Sequence, residues 1–266
     1  MYDRKGFEFL MNILFLGDVV ARSGREAVMK QLKTLQEKYE IDFTIINGEN
    51  AAHGKGITKP IYDGLMSSGA DIITLGNHAF TRRDIIPKMS ECPYLVRPAN
   101  MNPLHCGRAW AVRKRNGKRI AVMNLMGEVF MRETQGDPFL AADRMLAEID
   151  ADIILVDFHA EATSEKMIFF ECFKQDVTAV IGTHTHVQTA DEKVEDGCAF
   201  ISDAGMCGPY DSILGRDKQE IIAHCTAGIS THYIPAQGPS VIMGCVIAVD
   251  DETNRAVSIE RIQIRP

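Results

Sequence analysis

The chain of 266 residues contains one tryptophan, no C-x-x-C pair and no apolar run of a length that crosses a bilayer, which takes roughly 18 residues or more. The longest such runs, Val241–Val249 among them, are strand-sized. Seven cysteines (Cys92, Cys106, Cys172, Cys198, Cys207, Cys225 and Cys245) are scattered and odd in number. That excludes a paired-thiolate zinc site and offers no disulfide framework, so a reduced, cytoplasmic chain with buried thiols is expected. A basic excess is also missing. The formal net charge of −7 argues against stable nucleic-acid binding, which needs a basic face. It leaves room for a small anionic substrate, because bound metal ions reverse the local sign. Hydrophobic residues at 45% and charged residues at 24% exclude a disordered, collagen-like or coiled-coil chain. The first residues carry Asp3, Arg4 and Lys5 and no cleavage-site pattern, so no signal peptide is expected. Residues 1–10 read as a tail or an extended start ahead of Met11, and residues 11–266 as one domain.

The apolar runs alternate with helical periodicity. Met11–Leu16 reads as a buried strand ending in Gly17-Asp18. Ser23 with Glu26 reads as a capping box opening a helix whose Val28, Leu32, Leu35 and Tyr39 repeat at helical spacing. Phe43–Ile46 is a strand ending in Asn47-Gly48-Glu49-Asn50; a helix follows from Lys59, then a strand, Asp71–Leu75, ending in Gly76-Asn77-His78. This β-α-β-α-β order implies an α/β fold with a parallel sheet. Further on, Trp110–Arg115 and Arg119–Leu125 flank the hairpin signal Asn116-Gly117. Ile153–Asp157 delivers His159, Ala179–Ile181 delivers His184 and His186, and Val241–Val249 with Ala256–Ile264 forms a closing antiparallel pair.

The chemistry lies at the strand ends. In open α/β sheets, ligands bind beyond the carboxyl ends of the strands. Asp18, Glu49, Asn50, Asn77, His78, His159, His184 and His186 all follow apolar runs, so five strands aim oxygen and imidazole groups at one edge. A lone strand-end Asp is more often a turn residue, a lone core His a packing residue, and H-x-H by itself a surface strand. Their conjunction in strand order is what points to a metal site. Imidazole and carboxylate without thiolate suit Fe, Mn, Zn or Ni. In an extended segment the rings of His184 and His186 lie on one face and serve one ion or two neighbours. So many ligands suit two ions sharing a carboxylate. Glu49 is the best bridge, lying between Asp18 and Asn77 in strand order. His78, beside Asn77, has the reach and the near-neutral titration of a general acid; the alternative is a hydrogen bond orienting Asn77 or Asp18. Asn50 ligates or touches phosphate through its amide. The Gly-rich loop Ala51–Gly56, with His53 and Lys55, reads as a turn or as a substrate contact, and His105, His224 and His232 as structural or surface residues.

The segments Gly17-Asp18-Val19, Asn47-Gly48-Glu49-Asn50, Gly76-Asn77-His78, Asp157-Phe158-His159-Ala160-Glu161 and Gly182-Thr183-His184-Thr185-His186-Val187-Gln188 together resemble calcineurin-like metallophosphoesterases, over Met11 to about Gly244. The Glu at position 49, where the wider superfamily has Asp, is similar to the bacterial YmdB-type branch, as are Glu161–Lys166 and Asp203–Met206. The resemblance implies a four-layer αββα fold, two mixed sheets flanked by helices. It implies two transition-metal ions, Fe or Mn foremost and Zn as a further option. One would be held by Asp18, Glu49, Asn50 and His186, the other by Glu49, Asn77, His159 and His184, with His78 as catalytic acid. The implied activity is hydrolysis of small phosphodiesters such as 2′,3′-cyclic nucleotides by a metal-bridged hydroxide, with a homo-oligomer as the expected assembly. A phosphomonoesterase or protein phosphatase of the same fold, and a regulatory protein using the site as a sensor, stand as alternatives. No membrane partner is expected.

Overall fold

Continuous aliphatic runs bury on both faces, and here they do so in two sheets packed face to face. The computed structural model describes residues 10–102, 106–230 and 232–266. Its first part runs β1 (Leu10–Leu16), β2 (Asp18–Val19), α1 (Ala21–Lys38), β3 (Phe43–Asn47), α2 (Lys59–Ser67), β4 (Ile72–Thr74), a 3₁₀ segment over Arg83–Glu91, and β5 (Leu95–Val96). Then come β6 (Trp110–Arg115), β7 (Lys118–Met126), α3 (Pro138–Glu148), β8 (Ile153–His159), α4 (Thr163–Phe173), β9 (Ala179–Thr183), β10 (Lys193–Glu195), β11 (Cys198–Ile201), β12 (Met206–Pro209), α5 (Lys218–Ala227), β13 (Ser240–Asp250) and β14 (Ala256–Ile264).

The first sheet has the order β2-β12-β13-β1-β3-β4-β5, with β14 on β13; the second is β10-β11-β9-β8-β7-β6. β1, β3, β4 and β5 are parallel, as are β7, β8, β9 and β11. The expected closing pair is present, and β13 inserts antiparallel between β12 and β1. Asn116 and Gly117 both take positive φ (49° and 81°) at the β6–β7 hairpin, as a tight primed turn requires.

Three apolar clusters define the layers. Ile13, Phe15, Phe43 and Ile45 of the first sheet meet Ile120, Val122, Leu155 and Ile181 of the second. The other face of the first sheet, through Leu14, Ile46 and Ile73, packs on Val28, Leu32 and Leu65 of α1 and α2. The outer face of the second packs Val156, Phe158 and Phe200 on Phe169, Phe170 and Phe173 of α4. This is the αββα order, and each fully buried side chain of this size contributes about 1.5–3 kcal/mol. Phe158 stacks on Phe169 with ring centroids 4.4 Å apart, fixing α4 and the polar residues of its first turn against β8.

One local reading is corrected. Helix α1 begins at Ala21, two residues before Ser23, and Val20 precedes it with no side-chain cap. Ser23 is inside the first turn, its buried Oγ without a hydrogen-bond partner, so Ser23 and Glu26 form no capping box. The N-terminal backbone is satisfied from elsewhere: Val20 N–H donates to the Cys207 carbonyl and Ala21 N–H to that of Asn50, at 2.8 and 3.0 Å.

Candidate metal centre

The carboxyl ends of β1, β3 and β4 in one sheet and of β8 and β9 in the other meet at one edge. Two groups of ligand atoms form there. One is Glu49, His159 and His184, the other Asp18, Glu49 and His186, with the atoms of each group within 4.8 Å of one another. Glu49 belongs to both. Asp18, Glu49, Asn50 and His159 are buried, while Asn77, His78, His184 and His186 are half-buried and face a cavity of about 470 Å³. Asn77 joins the first group, its Oδ1 3.0 Å from His159 Nε2. Asn50 joins the second: its amide nitrogen is 2.8 Å from Glu49 Oε1, 3.0 Å from His186 Nε2 and 3.5 Å from Asp18 Oδ1. It is a positively polarised group facing three acceptors.

Each of the three ligand histidines is gripped from outside through one ring nitrogen, so that the other faces inward. Thr183 Oγ1 donates to Asp157 Oδ1 at 2.6 Å, so its lone pair faces His159 Nδ1 at 2.8 Å. That puts the proton on Nδ1 and turns Nε2 toward Glu49, 3.3 Å away. His184 places Nε2 3.0 Å from Glu161 Oε2, leaving Nδ1 toward the cluster, 3.1 Å from His159 Nε2. His186 Nδ1 donates to the Leu214 carbonyl at 3.1 Å, leaving Nε2 toward Asp18 and Asn50. Asp157 is wholly buried and accepts from Asn47 (2.9 Å) and Thr74 (2.5 Å) besides Thr183.

The H-x-H segment is not extended. His184 has φ 104° and His186 φ 66°, both left-handed and strained for residues with a Cβ. The two rings therefore part, His184 to one ligand group and His186 to the other, which is the second of the two arrangements expected for them. The strain is held in place by contacts to buried carboxylates. His184 N–H donates to Asp18 Oδ2 (3.2 Å), and Thr185 N–H to Asp203 Oδ2 (2.9 Å). Asp203 is in turn paired at 3.0 Å with Lys166 of α4, both residues 1% exposed. Beyond the segment, Gln188 Nε2 donates to the carbonyls of Gly244 and Ile262 at 2.9 and 3.1 Å.

The titration behaviour follows from burial and proximity. Burial opposes charge on Glu49, yet the facing His159 and the His78 N–H, 3.0 Å from Oε2, outweigh it and hold the carboxyl well below the usual range. Burial likewise opposes charge on His159, but Glu49 and Asp18 push it up to about 9. Burial raises Asp18 to about 6, with His186 opposing. Burial and the neighbouring His159 push His184 down to about 3. His78 is lowered, chiefly by burial. Its ring has no hydrogen-bond partner among the described residues, so it does not orient Asn77 or Asp18; its backbone N–H supports Glu49 instead.

These residues fit divalent metal ions. The donors are carboxylate, amide and imidazole, each imidazole turns one ring nitrogen inward, and Gly76 leaves room: a Cβ there would sit 2.4 Å from both Glu49 Oε2 and His159 Nε2. Of the remaining histidines, His53 takes a left-handed φ of 54° in its loop, His224 and His232 are exposed, and His105 lies outside the described residues. Sequence reasoning missed Asp157, Thr183, Asp203 and Lys166 as supports, and Arg216 and Tyr233 as cavity walls. The signal for Asp157 was a carboxylate inside an otherwise apolar strand; for Tyr233 the sequence carries none.

Fold and strand-end site together define a class, the calcineurin-like metallophosphoesterase fold. NAD nucleotidase of Haemophilus influenzae shares the fold at a TM-score of 0.59 and 12% identity, covering 96% of this chain and 56% of that one. Within the class, the chain belongs to the family described as YmdB-like protein, whose sequence model matches residues 14–262. It is 48% identical over 257 residues to the 2′,3′-cyclic-nucleotide 2′-phosphodiesterase of Bacillus subtilis (strain 168), covering 96% of this chain and 97% of the relative. The crystal structure of a novel phosphatase from Mycoplasma pneumoniae superposes with a TM-score of 0.91 at 34% identity, covering 96% of this chain and 94% of that one. Among the described residues, no helix is long and apolar enough to cross a membrane.

Proposed function

We propose that the chain is a metal-dependent phosphodiesterase that opens small phosphodiesters, nucleoside 2′,3′-cyclic phosphates foremost, with two ions held by Asp18, Glu49, Asn50, Asn77, His159, His184 and His186. The observation that carries this reading is the pair of ligand groups joined at Glu49, on a cavity that also presents the free ring of His78. The family relation to a Bacillus subtilis enzyme named for this reaction supports it. Bound ions would supply charge neutralisation at the phosphoryl oxygens and an activated water.

The chain's own residues do the rest. Glu49 is kept ionised by His159 and by the His78 N–H, so it is ready to bridge. Thr183, Glu161 and the Leu214 carbonyl fix the three imidazoles, which avoids reorganisation when the site fills. His78 donates the proton that the departing sugar oxygen needs. Burial lowers its pKa in the free protein, and the negative charge of a bound phosphodiester opposes that shift.

The test measures metal content by mass spectrometry and turnover of 2′,3′-cyclic AMP, of a chromogenic diester and of a chromogenic monoester, with Asp18→Asn alongside. Two ions per chain, diester turnover and its loss in the variant support the reading. Faster turnover of the monoester favours a phosphomonoesterase. Two ions with no turnover of any ester favour a sensor.

A further inference from the structure

The candidate metal ligands form only part of the cavity lining. The rest of the lining includes two segments distant in sequence, the Gly54–Lys55 loop and Tyr233, together with Leu214 and Arg216. They are built against each other. Gly54 takes φ +85°, and a Cβ on it would lie 2.2 Å from Tyr233 Cε1, so glycine admits the ring. The Lys55 ammonium lies 5.4 Å and the Arg216 guanidinium 5.0 Å from the centre of the Tyr233 ring. Arg216 is committed elsewhere, with a forked ion pair to Glu220 at 2.6 and 3.1 Å. Lys55 is different. Among the described residues its ammonium has no ion pair and no hydrogen bond, yet it stands near enough to His78 to influence that ring's charge. The Tyr233 hydroxyl likewise has no hydrogen-bond partner among the described residues, and burial keeps it protonated, its pKa raised to about 12. A cation without an ion pair and an O–H donor without a partner thus line the same cavity as the ligand cluster, a cavity far larger than a phosphate group and within the range of about 300–1,000 Å³ that suits small organic ligands.

We propose that Lys55 and Tyr233 form a nucleotide-binding subsite: Lys55 takes an anionic phosphoryl oxygen, and the Tyr233 hydroxyl donates to a sugar or base acceptor of a nucleoside phosphodiester. This rests on the phosphodiesterase reading and deepens it, because the wall recognises the nucleoside that the ligand cluster does not. Substrates without a nucleoside lose the Tyr233 contact and keep the Lys55 one.

Lys55→Met and Tyr233→Phe are compared with the unsubstituted protein on 2′,3′-cyclic AMP and on bis(4-nitrophenyl) phosphate, with metal content measured in each. Unchanged metal content is expected. KM for 2′,3′-cyclic AMP rises about tenfold in either variant, and in Tyr233→Phe the rise on bis(4-nitrophenyl) phosphate is several-fold smaller. A Tyr233→Phe loss equal on both substrates, or no loss in either variant, overturns the subsite. If the unsubstituted protein turns over neither diester, the phosphodiesterase reading fails, and equilibrium binding of adenosine 3′-phosphate decides the subsite alone. Binding weakened about tenfold in both variants supports it. Equal affinity, or no binding to the unsubstituted protein, overturns it.

Discussion

The two ligand groups share Glu49 but are held in different ways. The inner one rests on His159, which is 0% exposed and ends a buried relay through Thr183 to Asp157 and on to Asn47 and Thr74. Each link is a side chain on a strand or at its end. The outer one rests on His186, which sits on a left-handed turn, and its only outer support among the described residues is the Leu214 main-chain carbonyl. Leu214 is itself at φ 51° and 47% exposed. A ligand fixed by buried side chains is preorganised and loses little freedom on metal binding; one fixed by a loop carbonyl must be ordered by the metal itself. The inner position should therefore be the tighter.

The largest effect is expected where the two groups meet. Glu49→Gln removes the shared carboxylate and leaves both positions without their bridge. Turnover should fall by at least about 10³-fold, roughly 4 kcal/mol of transition-state stabilisation, and mass spectrometry should find less than one ion per chain. A variant that retained two ions would show that Glu49 is not shared.

Next in size is Asp157→Asn, aimed at the inner group alone. Asp157 receives three hydrogen bonds, and an amide has only one oxygen to receive them. The variant turns its own N–H bonds toward a donor and should cost about 1–3 kcal/mol in metal-free chemical denaturation. Inner-site affinity should fall by about 10- to 100-fold with the outer site less affected. An equal fall at both positions would mean that the relay braces the whole edge.

How far the site was legible in the sequence follows from the same contrast. Every proposed ligand sits at the carboxyl end of a strand or within three residues beyond it, so Asp18, Glu49, Asn77, His159 and the H-x-H pair could be read from strand punctuation, and so could the alternation of strands and helices. What tertiary contact decides could not. The parting of His184 and His186 depends on φ values set by Asp203 and Lys166, about 20 residues away on either side. The true start of α1 depends on the carbonyls of Asn50 and Cys207 rather than on Ser23. Short elements such as β2, β5 and β12 have no periodicity to read; they exist because a neighbouring strand offers them partners. Tyr233 reaches the cavity on a segment whose sequence says nothing of its destination.

Chelation should separate the two positions in time. Dialysis of metal-loaded protein against a chelator is expected to release the outer ion at least about tenfold faster than the inner one, consistent with the roughly 10- to 100-fold influence of outer supports on metal affinity. Ion content followed over hours should then show two phases, with turnover lost in the first. A single phase would mean that the shared Glu49 couples the two ions so strongly that they leave together.

The smallest effect is expected at Leu214, and it tests what holds His186. The contact is a main-chain carbonyl, which no side-chain substitution deletes. Leu214→Ala keeps that carbonyl, and the side chain it removes is half exposed, so fold stability should change by no more than about 1 kcal/mol. Outer-ion affinity should change by less than about threefold, which is below 1 kcal/mol. His186→Ala removes the ligand itself and should empty the outer position while leaving the inner one filled. If Leu214→Ala empties the outer position as completely as His186→Ala does, then packing of the Leu214 side chain, not its carbonyl, sets the ring. The outer ligand would then be held by a side chain, as the inner one is, and the predicted order of metal release would lose its physical basis.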